Sequence, residues 1–194
     1  KGITNKPVHK MPTLMLTERL GIESSKQKND SVIIGGNMVR WYGGFDSYIV
    51  AQEFGVPISA PSMGRKIDRE DEMDINHFPY MTWTEWINNL SQFKYGVHLM
   101  PTHAAGTFAL NCAFHGIPCI GYEGLDTQEE LHPQLTIGDG DLYSAKLSAD
   151  ILSNDYNFYK ECSSEARDNY IKSLYNEKNF VPYITKILKD LLYD

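Results

Sequence analysis

The sequence has no excess of positive charge. Its 194 residues include 18 Lys and Arg against 25 Asp and Glu, which gives a formal net charge of −7. A general nucleic-acid binder holds the phosphate backbone with clustered basic side chains, and this sequence contains no basic stripe interleaved with aromatic residues. We therefore expect no nucleic acid among the partners of this chain.

Cysteine is also scarce. The three cysteines, Cys112, Cys119 and Cys162, are odd in number and lie within apolar or helical patterns. An odd, widely spaced set does not indicate a disulfide framework or a zinc site, and it favours free thiols in a reducing compartment. A catalytic Cys–His pair is the alternative, but buried and inert thiols are the preferred interpretation.

Long apolar runs are missing as well. No stretch approaches the roughly 20 residues of a membrane-spanning helix, and no signal-peptide pattern is present. We therefore expect a cytoplasmic location, or a peripheral one at the inner face of a membrane. The sequence begins at Lys1 rather than Met, which leaves open that it is a fragment or a processed form.

What is present is a globular composition, with 42% apolar and 12% aromatic residues. From residue 31 onward, short apolar runs alternate with helical patterns and are separated by Gly and Pro. This alternation is typical of α/β proteins with a Rossmann-like, doubly wound parallel sheet. We predict such a domain over 31–175, a linker or remnant of a preceding region over 1–30, and a C-terminal helix packing on the domain over 176–194.

The strand YGVHLMP, which ends at Pro101, is followed by His103 and the small residues 104–107, and then by an apolar helical pattern. In open parallel sheets, ligands bind beyond the carboxyl ends of the strands, where loops lead into helices. Small side chains let an anion approach the free amides of a helix N-terminus, and the hydroxyl of Thr107 adds a donor. The pattern by itself is compatible with a phosphate site and equally with a tight strand-to-helix turn.

The wider pattern is more specific. His103-Ala-Ala-Gly106-Thr107 is followed by Asn111, by Gly116-Ile117-Pro118, and by Asp126-Thr127-Gln128. This succession resembles the C-terminal nucleotide-sugar-binding domain of GT-B glycosyltransferases. Many of them carry a His-Gly-Gly-x-Asn-Ser loop, an acidic residue further along the helix, a Gly-x-Pro turn, and a later Asp-Gln or Glu-Gln. The resemblance is good over about 80–155 and loose over 31–79.

The resemblance implies roles for individual residues. His103 would lie against the phosphate or the transferred sugar, and it is the candidate catalytic residue. Asn111 stands where the family usually has a Glu that binds ribose hydroxyls. The remaining donor-binding candidates are Ala105, Gly106 and Thr107 at the diphosphate, Asp126 and Gln128 at the sugar, Met81 and Thr82 near the base, and Arg40, Arg65 and Lys66 as counter-charges.

The sequence departs from the family pattern at two places. Ala104-Ala105 replaces Gly-Gly in the loop, which narrows the approach to its backbone. Asn111 replaces the carboxylate, so that a charged contact with a diol becomes a weaker amide contact.

The implied activity is transfer of a sugar from a nucleotide-diphosphate sugar, of the UDP or GDP type, to a carbohydrate, lipid or protein acceptor. Such enzymes stabilise the departing diphosphate with amides and basic side chains rather than a metal, so no cofactor is expected. The chain is too short to contain the N-terminal GT-B domain, without which it is expected to bind donor but not to turn over. The alternatives are a non-catalytic nucleotide-sugar-binding partner subunit and a nucleotide-sugar epimerase of the same fold.

Asp139-Gly140-Asp141 was a further candidate, because two Asp flanking one residue can hold a metal in the other glycosyltransferase fold. The pair lies between a short apolar run and a helical pattern, where Asp141 is well placed to cap the helix. We therefore interpret Asp141 as an N-cap and expect no metal site.

Overall fold

The computed structural model describes residues 8–24, 28–61, 66–102 and 106–193. Strands and helices alternate along most of the chain. The strands are β1 (Asn29–Ile34), β2 (Ile58–Ala60), β3 (Asn76–His77), β4 (Phe93–His98), β5 (Cys119–Tyr122) and β6 (Thr136–Ile137). The helices are α1 (Gly44–Ala51), α2 (Trp83–Leu90), α3 (Phe108–Phe114), α4 (Asp126–Leu131), α5 (Leu142–Asn154), α6 (Tyr156–Lys172) and α7 (Glu177–Tyr193).

The six strands form one sheet in the order β3-β2-β1-β4-β5-β6, and every pair of neighbours is parallel. The order runs outward in both directions from the β1–β4 pair, where Val32 pairs with Tyr95 and Ile34 with Val97. This reversal is the topological switch point of a doubly wound fold, and ligands of such folds bind beside it. The predicted Rossmann-like α/β class is confirmed.

The central strands are buried on both faces because helices cover both sides of the sheet. Val32, Ile33 and Ile34 of β1 have no exposed surface, as the run of β-branched residues in SVII predicts for a parallel sheet. On one face, α1 and α5 pack on a cluster that includes Tyr95, and on the other, α2 and α3 pack around Ile33. Burying these side chains contributes roughly 1.5–3 kcal/mol each to stability.

Two helix starts follow from local chemistry. Thr82 and Glu85 form a reciprocal capping box at the start of α2. The Asp141 side chain accepts hydrogen bonds from the amide and the hydroxyl of Ser144 at the start of α5, at 3.0 and 2.6 Å. The interpretation of Asp141 as an N-cap is confirmed.

The segment predicted to be a linker packs on the domain where it is described. Met15 is 2% exposed and forms a parallel bridge with Asn176, and Ile22 is 7% exposed. Both belong to an apolar cluster with Leu110 of α3 and Ala166 of α6. Residues 8–24 therefore add to the core, because their scattered apolar side chains find a partner surface that no local periodicity indicates.

The last helix differs from its prediction in burial. It begins at Glu177, within the predicted 176–194, although its interior contains Pro182. We expected one apolar face to be covered by the domain. Phe180 and Ile187 are buried, but Leu191 and Leu192 are 67% and 77% exposed. Amphipathic spacing predicted the helix, whereas the described part of the domain covers only the first half of its apolar face.

Candidate donor-binding site

A cavity of about 450 Å³ opens at the carboxyl ends of β1 and β4, beside the switch point. Loops after β1, β2, β3 and β4 and the first turns of α2 and α3 form its walls. The lining residues are Gly36, Tyr42, Pro61, Pro79, Tyr80, Met81, Trp86, His98, Met100, Gly106, Thr107, Phe108 and Asn111. The volume lies within the range of small-molecule sites in proteins, about 300–1,000 Å³.

Gly35 and Gly36 let the chain leave β1 close to its neighbours. A Cβ at Gly35 would lie 2.7 Å from the His98 ring and 2.9 Å from the Phe108 ring. Gly36 has a φ of +74°, and a Cβ there would lie 2.4 Å from the carbonyl oxygen of Tyr42. The two glycines after β1 therefore allow close packing around the cavity.

His98, at the end of β4, forms part of the cavity wall and is 6% exposed. Burial lowers the pKa of its imidazole from 6.5 to about 4, so the ring is neutral at neutral pH. Its centroid lies 5.1 Å from that of Phe108. A neutral imidazole offers one donor and one acceptor to a ligand, with no formal charge.

Asn111 lies in the first turns of α3, is 2% exposed, and lines the cavity. Its side-chain oxygen Oδ1 is buried and has no hydrogen-bond partner among the described residues. Leaving a buried polar atom unpaired costs roughly 1–3 kcal/mol, and such atoms are uncommon in folded proteins. The cavity therefore contains an acceptor that a ligand hydroxyl or amine could satisfy.

Three of the predicted donor-binding residues besides Asn111 also line this cavity: Met81, Gly106 and Thr107. The Gly106 carbonyl accepts a hydrogen bond of 3.1 Å from the Thr127 hydroxyl, which joins the loop before α3 to α4. The Thr107 side chain makes no capping bond to α3. Tyr80, which precedes Met81, also lines the cavity and is 86% exposed.

Two other predicted residues are engaged elsewhere. Thr82 lies next to the cavity residue Met81, but its hydroxyl is used in the capping box with Glu85. The ammonium group of Lys66 lies 2.9 Å from a carboxylate oxygen of Asp71 in an exposed ion pair. That pairing raises the pKa of Lys66 and lowers that of Asp71.

Asp126 and Gln128 are not brought to the cavity. Gln128 is 1% exposed, and its amide nitrogen donates to the carbonyls of Cys119 and Leu135, at 2.9 and 3.2 Å. The side chain thereby links β5 to the turn before β6. The Asp126 carboxylate is about half exposed, accepts from the Thr127 amide, and lies 3.9 Å from Lys10. In this conformation neither side chain is available for sugar hydroxyls at the cavity.

His103, Ala105 and Arg65 lie outside the described residues, and so does the side chain of Arg40. Their roles stay predictions. The backbone of Arg40 belongs to a short 3₁₀ helix, Arg40–Tyr42, which follows β1 and delivers Tyr42 to the cavity.

The described cavity wall carries no formal charge. None of its residues is Asp, Glu, Lys or Arg, and its histidine is neutral. Aromatic and apolar groups dominate, with Asn111 and Thr107 as polar side chains. Such a wall suits a planar, uncharged ligand group, whereas an anionic group needs counter-charges from residues beyond the described wall.

The other candidate sites behave as ordinary structure. The three cysteines are free and buried. Burial raises the pKa of Cys119, and that of Cys162 to about 12, which makes these two thiols poor nucleophiles. No cluster of three or more metal-ligating side chains occurs in the described ranges. None of the helices that the structure describes is both long and apolar enough to cross a bilayer.

Sequence reasoning missed several residues of the cavity, namely Gly36, Tyr42, Pro61, Pro79, Trp86, His98, Met100 and Phe108. For His98 a signal was available, since it ends a strand whose carboxyl end was expected to face a ligand. Trp86 gave no such signal, because its helical spacing predicts a core residue. It does pack on Phe108, with ring centroids 6.2 Å apart, and it also forms part of the wall.

No family model and no curated protein matches the sequence. Solved structures do match the fold. AviGT4, a glycosyltransferase of avilamycin A biosynthesis, aligns with a TM-score of 0.70 and 15% identity over 97% of this chain and 59% of its own. The pneumococcal O-GlcNAc transferase GtfA, solved with UDP and GlcNAc, gives 0.68 and 11% over 95% and 39%. Anabaena Alr3699/HepE, solved with UDP-glucose, gives 0.66 and 11% over 90% and 51%.

The sheet order and the cavity at its switch point place the chain in the class of doubly wound, Rossmann-like α/β domains. Within that class it has the fold of GT-B glycosyltransferases, as the resemblance predicted. The chain spans about 39–59% of the length of these three proteins. At 10–15% identity, this likeness establishes the fold, and the activity has to be argued from the site.

Proposed function

We propose that this chain is the donor-binding half of a glycosyltransferase and that the cavity at the β1–β4 switch point holds a nucleoside-diphosphate sugar. The observation that carries the proposal is Asn111, which places an unpartnered buried oxygen in the wall of an uncharged, aromatic cavity. A nucleoside combines the two features that this wall complements, a flat apolar base and a hydroxylated ribose.

The base fits the aromatic side of the cavity. Trp86, Phe108 and Tyr80 provide ring surface, and Pro79 and Met81 add apolar contacts. Base stacking on an aromatic ring contributes about 1–3 kcal/mol and tolerates any base, because every base has a π face. Selection among bases therefore falls to backbone groups around residues 80–82 and to the neutral imidazole of His98.

The ribose fits beside Asn111. A ribose hydroxyl that donates to Oδ1 satisfies an atom that is otherwise left unpaired, which makes the contact more favourable than a typical net hydrogen bond. A carboxylate at this position would accept from two hydroxyls with a full charge. The amide accepts from one and leaves the cavity neutral, so we expect weaker binding of the ribose than in relatives with Glu.

The diphosphate is proposed to lie over Gly106 and Thr107, with His103 and Ala105 in the same loop. The described wall is uncharged, so we assign the counter-charge to Arg40 and Arg65 rather than to Lys66, whose ammonium is paired with Asp71. In this proposal positive side chains and amides stabilise the leaving diphosphate without a metal ion, an electrostatic role like that of an oxyanion hole.

The acceptor side is proposed to come from a second domain. The chain spans about half the length of the solved structures it matches, which include glycosyltransferases such as that of Rickettsia africae and AviGT4. UDP is the first donor nucleotide to test, because GtfA was solved with UDP and HepE with UDP-glucose, and GDP is the second. The acceptor would be a carbohydrate, lipid or protein.

Binding measurements test the donor site directly. Isothermal titration of UDP, GDP and their sugars is performed on the wild type, Asn111→Leu and Asn111→Asp. Leu has nearly the shape of Asn without the acceptor, so we expect about tenfold weaker UDP binding, equivalent to about 1.4 kcal/mol. Asp keeps the acceptor and should bind at least as well as Asn. Asn88→Leu, at an exposed position of α2, is the matched control.

Thermal unfolding of the same variants separates binding from folding. Removing an unpaired buried oxygen should leave the melting temperature of Asn111→Leu unchanged or raise it slightly. If no nucleotide binds the wild-type protein, the donor-site proposal is wrong. If UDP binds but the full-length protein neither transfers nor hydrolyses a donor sugar, the chain is a binding subunit rather than a transferase.

A further inference from the structure

A second, larger depression lies at the opposite end of the sheet from the donor cavity. Its volume is about 1,000 Å³, and it is formed by the end of α3, one side of α6, and the segments before β1 and after α6. We call it the amino-edge groove, because Lys28 directly precedes β1 and His115 directly follows α3. None of its residues lines the donor cavity.

Two cations are held in this groove without a nearby carboxylate. Lys28 Nζ donates to the carbonyl of Ser91 at 2.9 Å, and Arg167 donates to the carbonyl of Phe114. Both side chains are only partly exposed, and neither has a carboxylate oxygen within 4 Å among the described residues. A partly desolvated charge is costly unless it is paired, so both are prepared for an anion.

The pKa values of the basic groups in the groove agree with a positive charge that no neighbouring carboxylate balances. The pKa of Lys28 is lowered from 10.5 to about 8, mainly by burial, with an opposing contribution from Cys112 and a smaller lowering by Arg167. Burial also lowers the pKa of His115 from 6.5 to about 4, with contributions from Lys28 and Arg167. Arg167 therefore acts on both Lys28 and His115, and an anion bound beside these groups would favour their charged forms.

Other charges in the groove do not cancel this arrangement. Glu18 is paired with Lys178, with a nitrogen–oxygen distance of 2.6 Å. Lys160, over the ring of Tyr156, adds another cation. The remaining carboxylates are those of Glu23 and Asp168, which are exposed at the rim. Solvent screens exposed rim charges more strongly than the partly buried pair, so the interior of the groove stays positive.

His115 supplies an additional polar atom. Its Nε2 lies 2.8 Å from the carbonyl oxygen of Ile87, which can only accept, so Nε2 carries the proton in the neutral ring. The other nitrogen, Nδ1, is buried and has no partner in the described structure. An anion beside the ring would favour the imidazolium form and would thereby turn Nδ1 into a donor.

We propose that the amino-edge groove is a binding site for a phosphate group, held by Lys28 and Arg167 and bordered by His115. The formal net charge of the chain is −7, so anions are repelled on average and binding requires a local site of this kind. Arg167 is fixed on the rings of Phe114 and Tyr170, at 5.0 and 5.5 Å from their centroids. The guanidinium is therefore positioned before an anion arrives, which suits phosphate. The proposal does not depend on the donor site.

Titration of inorganic phosphate into the protein in a low-chloride buffer tests the site, in the absence and presence of saturating UDP. We expect one phosphate to bind equally well in both cases. Lys28→Gln keeps a donor for Ser91 and removes only the charge, so it should weaken phosphate binding about tenfold. Arg167→Lys keeps the charge but loses the two parallel N–H donors of the guanidinium, so it should weaken phosphate binding by less than tenfold. Lys189→Gln, on an exposed part of α7, is the control for net charge.

Titrations with glycerol 3-phosphate and acetate show whether the site binds a phosphate ester or the free phosphate ion, and whether it prefers phosphate to a carboxylate. Binding of glycerol 3-phosphate as tightly as phosphate would point to a phosphate ester, and binding of phosphate alone to the free ion. Both support the proposal. Acetate carries less charge and should bind more weakly. Equal binding of acetate, or equal loss in Lys189→Gln and Lys28→Gln, would overturn the proposal. Displacement of phosphate by UDP to the same extent in Lys28→Gln as in the wild type would also overturn it, because the phosphate would then lie at the nucleotide site.

Nuclear magnetic resonance gives a readout that loss of folding would not imitate. With the lysines dimethylated with ¹³C, the Lys28 signal should titrate near its lowered pKa in the free protein and at higher pH with phosphate bound. The His115 ring signals should likewise titrate at higher pH when phosphate is bound. A lack of response at both residues under saturating phosphate would place the anion elsewhere.

Discussion

The donor cavity and the amino-edge groove lie at opposite ends of the same sheet, and they differ in how their polar groups are satisfied. The cavity has a neutral, aromatic wall with one unpaired oxygen on Asn111. The groove is larger in volume and cationic, and among the described residues Lys28 and Arg167 donate only to carbonyls. A neutral wall selects by shape and hydrogen bonding, whereas two cations without a carboxylate partner select by charge.

Both regions meet at α3. Phe108 at its start lines the donor cavity, and the carbonyl of Phe114 at its end accepts from Arg167. The helix is buried throughout, so each end is held by the core rather than by the ligand. The two sites can therefore be perturbed separately, and the following predictions use that separation.

The largest effect is expected at a glycine that supports the donor end. Gly43 has a φ of +64°, and a Cβ there would lie 1.7 Å from the carbonyl oxygen of Leu99. Gly43→Ala should reduce the free energy of unfolding by about 4 kcal/mol or more, since the backbone has to move. Gly55→Ala shares a φ of +62° but meets no atom within 4 Å, so about 1–2 kcal/mol is expected. Urea unfolding measures both, and equal losses would contradict the packing argument.

Lowering the pH is expected to destabilise the protein through buried histidines at both ends of the sheet. Burial holds the pKa values of His98, His115 and His132 at about 4 in the folded chain, against 6.5 when exposed. The unfolded chain therefore binds more protons between these values. The stability that these groups contribute is complete above pH 6.5 and is lost as the pH falls toward 4.

Each of the three histidines should contribute on the order of 1 kcal/mol or more to this loss. Urea unfolding at a series of pH values measures it. His98→Gln, at the donor end, should make the pH dependence shallower, and saturating phosphate should do so through His115. A flat stability profile between pH 6.5 and 4.5 would show that these rings are not buried as neutral groups.

An effect of intermediate size should distinguish the two sites by the ligand that each of them binds. Asn111→Leu should weaken UDP binding about tenfold and leave phosphate binding unchanged, and Lys28→Gln should do the reverse. Titration of both ligands into both variants measures this. If one variant weakens both ligands equally, the two regions are coupled or form a single site.

The smallest effect concerns the pair of aspartates after β6. Asp141→Ala removes the cap of α5 and should cost about 1 kcal/mol of stability. Asp139→Ala should cost less than about 0.5 kcal/mol, because no hydrogen bond of its side chain occurs in the described structure. Chemical unfolding measures both, and a chelator should change neither UDP binding nor stability. A Mn²⁺-dependent rise in melting temperature that both substitutions abolish would reverse the interpretation of this pair.

Much of the fold was readable because its signals are local. Alternating strand and helix patterns, the capping residue Asp141 and the buried run of β1 each depend on a few consecutive residues. The strand β3 was missed because two residues of pairing leave no pattern. The exposed end of α7 was missed because amphipathic spacing predicts an apolar face but not the surface that covers it.

The site was readable only in part. Gly106, Thr107 and Asn111 were predicted by a resemblance in spacing, and the structure brings them to one cavity. Gln128 was predicted on the same grounds but lies in the interior, because the carbonyls of two chain segments compete successfully for its amide. Sequence spacing does not show which of several partners a polar side chain will meet.

The sequence by itself determined the class of fold, since strand and helix patterns depend on short-range spacing. It also showed small residues at 104–107 and the uncharged Asn111 after them. Only the tertiary structure decided that His98 closes the donor cavity and that Lys28, His115 and Arg167 share one groove. Residues so far apart in the chain meet because the strands are parallel, so that their equivalent ends and the adjoining helices lie along the same edge of the sheet. The resulting neighbours set burial, charge and pKa, none of which is encoded locally.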